Sequence, residues 1–229
     1  MHKQKIQVIE LFAGSRSIGK AAEALGMDVW SSDLKPFDGI DRAQDLLSIP
    51  INEIPKNDNP TILWASPPCT GFTIAAVSKN WERTAQGLQP RRETARLGVA
   101  LVERTLEIID VLKPDVWFIE NPRGMLRKMP FMRGLPRTTV TYCQYGDRRM
   151  KPTDIWTNCW TWQPRPMCKN GDPCHDPAPR GSHEGGTQGL AGNYERSMIP
   201  HELCVEALAA ARHYIMLPPE KKTCLSSLL

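Results

Sequence analysis

The pattern of apolar and polar positions begins with a continuous run, Ile6 to Phe12, broken only by Gln7 and Glu10. A short run rich in β-branched residues predicts a buried strand. Ala13-Gly14-Ser15-Arg16-Ser17-Ile18-Gly19 follows, then a helical segment to about Leu25, with Gly26 placed as its C-terminal stop. Met27 to Ser32 predicts a second strand that ends at Asp33. After a looser stretch holding Asp45, Thr61-Ile62-Leu63-Trp64-Ala65 predicts a third. Residues 70–95 carry Gly71, Gly87 and Pro90 and little periodicity, so they are expected as a long loop, a kind usually functional. From Arg96 to Leu112 the spacing is helical, with Leu97, Leu101, Ile108 and Leu112 on one face. Val116 to Ile119 is again continuously apolar. Thr138 to Tyr142 and Asp154 to Thr157 are β-rich. His201 to Met216 predicts a last helix with Leu203, Leu208, Ala211 and Ile215 on one side.

Strands alternating with helices imply an α/β fold, a mostly parallel, doubly wound, Rossmann-like sheet. Such sheets bind ligands outside the carboxyl ends of their strands. Gly14, Asp33, Cys69 and Glu120 all fall at those ends, so one crevice could hold them. Residues 163–195 break the pattern, being rich in Pro, Gly, Cys and His and poor in aliphatics, and read as an insertion. The 229 residues suit a single domain, 1–229, with that appendage. A hydrophobic fraction of 41% and a charged fraction of 24% are those of a soluble globular protein. No apolar run approaches the ~18 residues needed to span a bilayer. The N-terminus runs straight into a strand with no secretory signal. A cytoplasmic, monomeric enzyme with no membrane partner is therefore expected.

Charge changes the picture modestly. The net charge of +4 is small, but the basic residues cluster after strands. Arg83, Arg91, Arg92 and Arg96 follow Cys69; Arg123, Arg127, Lys128 and Arg133 follow Glu120; Arg137, Arg148, Arg149 and Lys151 flank the next β-rich stretch. Such a rim could neutralise phosphates, or it could be an ordinary solvated surface.

The candidate chemistry centres on Ser66-Pro67-Pro68-Cys69. Two prolines stop the strand and fix the direction of Cys69, and a thiol displayed this way is a candidate nucleophile. Phe12-Ala13-Gly14-x-x-x-Ile18-Gly19 gives a tight turn ahead of a helix N-terminus, and Asp33 lies about 20 residues on, where such folds bind ribose hydroxyls. Glu120-Asn121-Pro122 closes a buried strand.

With these residues in hand, the chain resembles the DNA cytosine-5 methyltransferases, which depend on S-adenosylmethionine. The match spreads through most of the chain in the family's order. Leu11-Phe12-Ala13-Gly14 resembles the first cofactor motif, and Asp33 and Asp45 stand at the ribose and adenine acids. Ser66-Pro67-Pro68-Cys69 resembles the catalytic Pro-Cys motif and Glu120-Asn121-Pro122 the Glu-Asn-Val motif. Tyr145 to Lys151 is similar to a contracted Gln-x-Arg-x-Arg segment. Gly192-Asn193 with Ile199-Pro200 resembles the closing motif that returns to the cofactor. The resemblance implies Cys69, Glu120 and Arg149 as catalytic residues. It implies S-adenosylmethionine held by Phe12, Ala13, Gly14, Ser15, Ile18, Asp33, Asp45, Pro67 and Asn193. It also implies double-stranded DNA as partner, with the target base flipped into the pocket. Thr70 follows Cys69 where the family most often has Gln, and Pro122 stands where it has Val. Target recognition would fall to a small insertion at 158–191, with Arg165, Lys169, Arg180 and His183 as donors, or be shared with the 70–95 loop.

Seven cysteines in a chain of this type argue against a disulfide framework. Cys159, Cys168, Cys174 and His175 form a candidate structural zinc site, since a loop with few aliphatics needs a staple. The adjacent pair Cys174-His175 could share an ion only across a special backbone turn. Three other readings stay open: an RNA (tRNA) cytosine-5 methyltransferase of the same fold, an inactive nucleic-acid-binding relative, and a nucleotide-binding oxidoreductase. The last leaves Pro67-Pro68-Cys69 unexplained.

Overall fold

The computed structural model describes residues 5–85, 87–177 and 193–222. Strands β1 (Gln7–Leu11), β2 (Asp28–Asp33), β3 (Arg42–Ala43) and β4 (Thr61–Ala65) are joined by helix α1 (Ser17–Ala24) and short turns. Then come α2 (Val77–Asn80), the hairpin β5 (Trp81–Thr84) and β6 (Gly87–Pro90), and α3 (Glu93–Leu112). Strands β7 (Val116–Pro122), β8 (Arg137–Thr141) and β9 (Pro152–Thr157) precede α4 (Asn193–Ser197), α5 (His201–Met216) and α6 (Pro219–Lys222).

The main sheet runs β3-β2-β1-β4-β7-β9-β8. Its first five strands are parallel, and β9 runs against both β7 and β8. The chain leaves β1 toward β2 and β3 on one side and returns through β4 to β7 on the other. The order thus reverses between β1 and β4, and a crevice opens there at the carboxyl ends. This is the α/β, mostly parallel, doubly wound sheet that the sequence pattern predicts.

β1 and β4 are buried along their whole length, which is why their runs read as uninterrupted rather than alternating. Val8, Ile62, Trp64 and Phe118 point to one face, against Ile18, Ala21 and Ala22 of α1 and Leu203, Ala207, Leu208 and Ala211 of α5. Ile9, Leu11, Leu63 and Ala65 point to the other, against Leu101, Ile108 and Leu112 of α3. Burying each such side chain contributes roughly 1.5–3 kcal/mol against leaving it in water. Gly26 adopts φ 71 one residue past the cap of α1, as its position suggests.

Two expectations need correction. Residues 70–95 are not a plain loop: they hold α2 and the β5–β6 hairpin, whose Trp81 and Leu88 pack with Phe72, Met125 and Trp156. Four-residue strands are too short to show a period, so the hairpin left no pattern. Leu97 is exposed rather than on the buried face of α3, which is instead lined by Ala95, Gly98, Leu101, Val102, Thr105, Ile108 and Leu112. Gly98 lies on that face because Phe72 crosses it; a methyl there would come within 3.1 Å of the ring. Among the described residues no helix is long and apolar enough to cross a membrane.

Candidate active site

At the end of β1 the chain turns through left-handed backbone at Phe12 (φ 58), Gly14 (φ 49) and Arg16 (φ 54). Two of these three are not glycine, so the turn is strained, as backbone at ligand sites often is. Contacts on both sides hold it. The Gly14 amide donates to Asp33 Oδ2 at 2.9 Å, and Asp33 Oδ1 accepts from the Lys35 amide at 3.0 Å. Glu10, buried within β1, accepts from the Ile18 and Gly19 amides, both at 3.1 Å, and from the Ser31 hydroxyl at 2.9 Å. It thereby fills the free N–H groups at the start of α1. Burial pushes Glu10 up to about 7, against the pull of Ser31, those two amides and Arg16. Phe12 is half-buried beside the turn. Ser15, Ser17, Lys20, Tyr194, Met198 and Ile199 line a depression next to it. Asp45 stands two residues past Ala43, the strand partner of Asp33, so it shares that rim; it is exposed, with Oδ1 accepting from the Leu47 amide.

The second half of the crevice lies beyond β4 and β7. Cys69 begins a single turn of 3-10 helix directly after Pro68. Asn80 Nδ2 donates to the Thr70 carbonyl at 3.0 Å, and Trp81 Nε1 donates to the Gly71 carbonyl at 2.8 Å. The hairpin segment therefore fixes the turn that presents the thiol. From the other side Asn121 Nδ2 donates to the Pro67 carbonyl at 2.8 Å. Gly124 must be glycine, since a methyl there would sit 2.3 Å from the Phe72 carbonyl oxygen.

Glu120 is buried and accepts from the Tyr142 hydroxyl at 2.9 Å. Burial raises its pKa, while Lys151 and the hydroxyls of Tyr142 and Ser66 work in the opposite direction. Burial, then the Glu120 carboxylate, push the Cys69 thiol up; Lys151 and Arg196 pull it down. Lys151 is thus the cation shared by both groups. Its Nζ sits 4.5 Å from the centre of the Tyr142 ring and donates to the Arg196 carbonyl at 2.8 Å. Its own backbone is left-handed, at φ 30. Desolvation lowers the Lys151 pKa, offset in part by Glu120.

The fold brings Cys69 and Glu120 together electrostatically, and it brings Gly14 onto Asp33. Arg149 lies one step back: Nε donates to Asp147 Oδ1 at 2.9 Å, and Nη1 reaches the Arg196 carbonyl at 3.5 Å. Asn193 opens α4, and this helix passes over the Gly14 turn, so that a methyl on Gly14 would come within 3.8 Å of Ser197 Oγ. The Ile199 amide then donates to Ser17 Oγ at 3.2 Å. Glu10, Ser66, Tyr142 and Arg196 carry weight that sequence reasoning did not assign. A polar residue inside an otherwise apolar strand was the available signal for Glu10, and a tyrosine closing a β-rich run was the signal for Tyr142.

Several basic residues are already committed. Arg127 Nε donates to Asp154 Oδ2 at 2.8 Å, and its Nη2 pairs with Oδ1 of the same fully buried acid, so it is not a phosphate contact. Arg165 donates from Nε to Glu206 at 2.9 Å, pairs with Glu202 at 2.7 Å and lies over the Tyr145 ring, so its guanidinium is engaged within this chain. Arg180 and His183 lie outside the described residues. Arg83, Arg91, Arg92, Arg123, Lys128 and Arg133 are exposed.

The expected metal set is corrected by one ligand. Cys159 is buried in the main core beside Trp162 and next to Thr161 Oγ1 at 3.3 Å, away from the others. The cluster is instead Cys143, Cys168, Cys174 and His175, with all four ligand atoms within 4.8 Å of one another.

No family model matches the chain. Among curated proteins it is similar to one from frog virus 3 (isolate Goorha) named "Probable DNA (cytosine-5)-methyltransferase", 26% identical over 171 residues, covering 74% of this chain and 78% of that one. This similarity bears out the resemblance read from the motifs. Among solved structures, one similar chain is described as a candidate DNA modification methyltransferase encoded within a prophage (E. coli), at 16% identity and TM-score 0.47, covering 67% of this chain and 46% of that one. Another is a mutant of Spodoptera frugiperda DNMT2, at 14% identity and TM-score 0.43, covering 67% of this chain and 49% of that one. The matched region spans less than half the length of either solved chain.

Proposed function

We propose that this chain transfers a methyl group from S-adenosylmethionine to C5 of a cytosine flipped out of double-stranded DNA, through a bond between Cys69 Sγ and C6 of the base. The observation that carries the reading is the pairing of a half-buried thiol with a buried carboxyl of raised pKa at the carboxyl ends of two neighbouring parallel strands. The frog virus relative's name describes the same activity for that protein.

Cytosine C5 is a poor nucleophile until something adds at C6. Cys69, once ionised, adds there, and the electrons displaced from the C5–C6 bond move into the ring. Burial raises the Glu120 pKa and so favours its protonated form, in which it can donate to N3 and stabilise that charge. Lys151 supports the thiolate and is positioned by the Arg196 carbonyl and the Tyr142 ring. S-adenosylmethionine, when bound, supplies an electrophilic methyl group. Loss of the C5 proton and departure of Cys69 restore the aromatic ring.

The residues present fit that cofactor. The Asp33 carboxylate stands at the end of β2 as an acceptor for ribose hydroxyls, clasped by the Gly14 amide rather than spent on a side-chain cation. Phe12 is half-exposed as an apolar face, and Ser15 lies in the turn before α1, while the side chain of Ile18 in the first turn of that helix is buried in the core. Asp45 offers its carboxylate on the same rim, and Asn193 opens the helix that passes over it. Arg149 is assigned to the flipped nucleotide, steadied by Asp147. Exposed Arg83, Arg91, Arg92, Arg123, Lys128 and Arg133 are assigned to phosphates, and 158–191 with the β5–β6 hairpin to sequence reading.

The test is incubation with labelled cofactor and duplex DNA, tRNA or single strands, with bisulfite sequencing of DNA from expressing cells. Label on duplex cytosine C5, and a trapped protein–DNA adduct on 5-fluorocytosine, are expected for the wild type and not for Cys69→Ser. Label confined to tRNA would replace DNA by RNA. Turnover by Cys69→Ser equal to that of the wild type would remove Cys69 from the mechanism.

A further inference from the structure

We infer that Cys143, Cys168, Cys174 and His175 bind one zinc ion, which fastens the Cys/His-rich segment to the turn that carries Tyr142. The four residues come from three places. Cys143 lies in the 3-10 turn after β8, one residue past Tyr142. Cys168 follows a proline-rich stretch and is buried, its amide donating to Thr141 Oγ1 at 3.0 Å. Cys174 and His175 sit on the next turn, reached through Gly171 at φ 95 and tied by a hydrogen bond from the Lys169 amide to Asp172 Oδ2 at 2.6 Å. That turn supplies the backbone geometry that adjacent ligands need.

The distances fit a tetrahedral ion. Zn–S bonds of about 2.3 Å and Zn–N bonds of about 2.0–2.1 Å place two sulfurs ~3.8 Å apart and a sulfur and a nitrogen ~3.5 Å apart. The structure has Cys174 Sγ 3.6 Å from Cys143 Sγ, and His175 Nδ1 3.7 Å from Cys168 Sγ and 3.6 Å from Cys174 Sγ. Cys143 and Cys168, at 3.0 Å, are closer and would open slightly around an ion, yet lie far outside the ~2.05 Å of a disulfide. Gln144 Nε2 lies 3.4 Å from Cys174 Sγ, the kind of outer donor that steadies a bound thiolate. The donor set, three soft thiols and one imidazole with no carboxylate, selects zinc over calcium or magnesium.

The segment has reason to need the ion, because few aliphatics anchor residues 163–177 and a staple replaces the core they lack. Zinc there would also brace the catalytic side. The Asp176 amide donates to the Arg148 carbonyl at 2.8 Å, and Tyr142 holds Glu120. This second consequence rests on the proposed methyl transfer; the metal site does not.

The test uses the full chain purified without chelator. Metal analysis should find about one zinc per chain after dialysis, and cobalt in its place should give the intense visible bands and sulfur-to-metal charge transfer of a tetrahedral thiolate site. Cys174→Ser, at an exposed position, and His175→Ala should lose most of the bound metal while keeping the far-ultraviolet spectrum of the fold. Cys159→Ser should keep the full equivalent. Chelation should then reduce methyl transfer several-fold, restored by zinc. A wild type that takes up neither zinc nor cobalt, a Cys143–Cys168 disulfide in the native protein, or undiminished zinc in Cys174→Ser and His175→Ala would each overturn the site. Zinc retained by a chain that methylates nothing would sink the proposed function alone.

Discussion

Glu10 and Glu120 are both buried acids on the α5 side of the sheet, both bear on the Cys204 thiol of that helix, and both have raised pKa values. Register separates them. Glu10 is the strand partner of Trp64, and Trp64 is the partner of Phe118, two residues before Glu120. Glu120 is therefore about 7 Å nearer the carboxyl edge. Inside the sheet, Glu10 meets two backbone amides and a serine hydroxyl, which leaves it nothing further to do than hold β1 to α1. At the edge, Glu120 meets side chains, the hydroxyls of Tyr142 and Ser66 and the charge of Lys151, and its own charge bears on the Cys69 thiol. One carboxyl is spent on the fold and the other is the one proposed to act on a substrate, and they differ in position along the strand.

The comparison breaks most visibly in turnover. Glu120→Gln should lower kcat by about 10²–10⁴, while Glu10→Gln should leave kcat within a few-fold. The pH profile sharpens the contrast. In the proposed reaction Glu120 keeps its proton and Cys69 loses one, so wild-type kcat should rise with pH and then fall as pH passes the raised pKa of Glu120. A side-chain amide cannot ionise, so the alkaline fall should vanish in Glu120→Gln. Single-turnover rates across pH decide this; an alkaline limb that persists in that variant assigns the proton elsewhere.

Much of this was legible in the chain because the strands that carry the site are buried on both faces. β4 begins and ends where its apolar run does, with the Pro-Pro-Cys turn directly after it; the Glu-Asn pair follows the apolar run of β7, although the strand itself continues through it to Pro122. What stayed hidden depended on separation. Cys143 lies well before Cys168, Cys174 and His175 in the chain, so spacing favoured Cys159, which the core claims. Arg127 counts as basic rim by sequence, but buried Asp154, a partner from two strands away in the chain, takes it. Lys151 stands two residues past Arg149, has left-handed backbone, and bears on both Glu120 and Cys69. Leu97 matched the helical period and still faces water, because a period gives a face without saying what covers it.

Stability should separate the two acids next. Glu10 in the folded chain holds its proton up to about 7, whereas the unfolded chain releases it near 4.5. Between those values the folded state binds more protons, so stability falls as pH rises through that window, by about 3 kcal/mol from this group. Glu120, also raised, adds to the same fall. Urea midpoints at pH 5 and pH 8 should therefore converge in Glu10→Gln relative to the wild type. An unchanged difference between the two pH values would show that the amides of α1 keep Glu10 ionised throughout.

The smallest effect should fall on binding. Asp33 belongs to the Glu10 side of the molecule: it accepts from the Gly14 and Lys35 amides, with no contact to Cys69 or Glu120 among its hydrogen bonds. If that side binds and the Glu120 side reacts, Asp33→Ala should raise the KM for S-adenosylmethionine while leaving the KM for DNA and the alkaline limb of kcat in place. Losing a hydrogen bond to a charged group costs about 1.5–3 kcal/mol, or roughly 10–150-fold in affinity. Asp33→Asn, which keeps an acceptor for the Gly14 amide, should fall between wild type and alanine. Equal losses in both variants would mean that the charge, rather than the clasp on the turn, carries the affinity. A kcat that falls in step with cofactor affinity would mean that the two halves of the crevice are not separable, and that the strained turn at Phe12 and Gly14 also sets the geometry of the reaction.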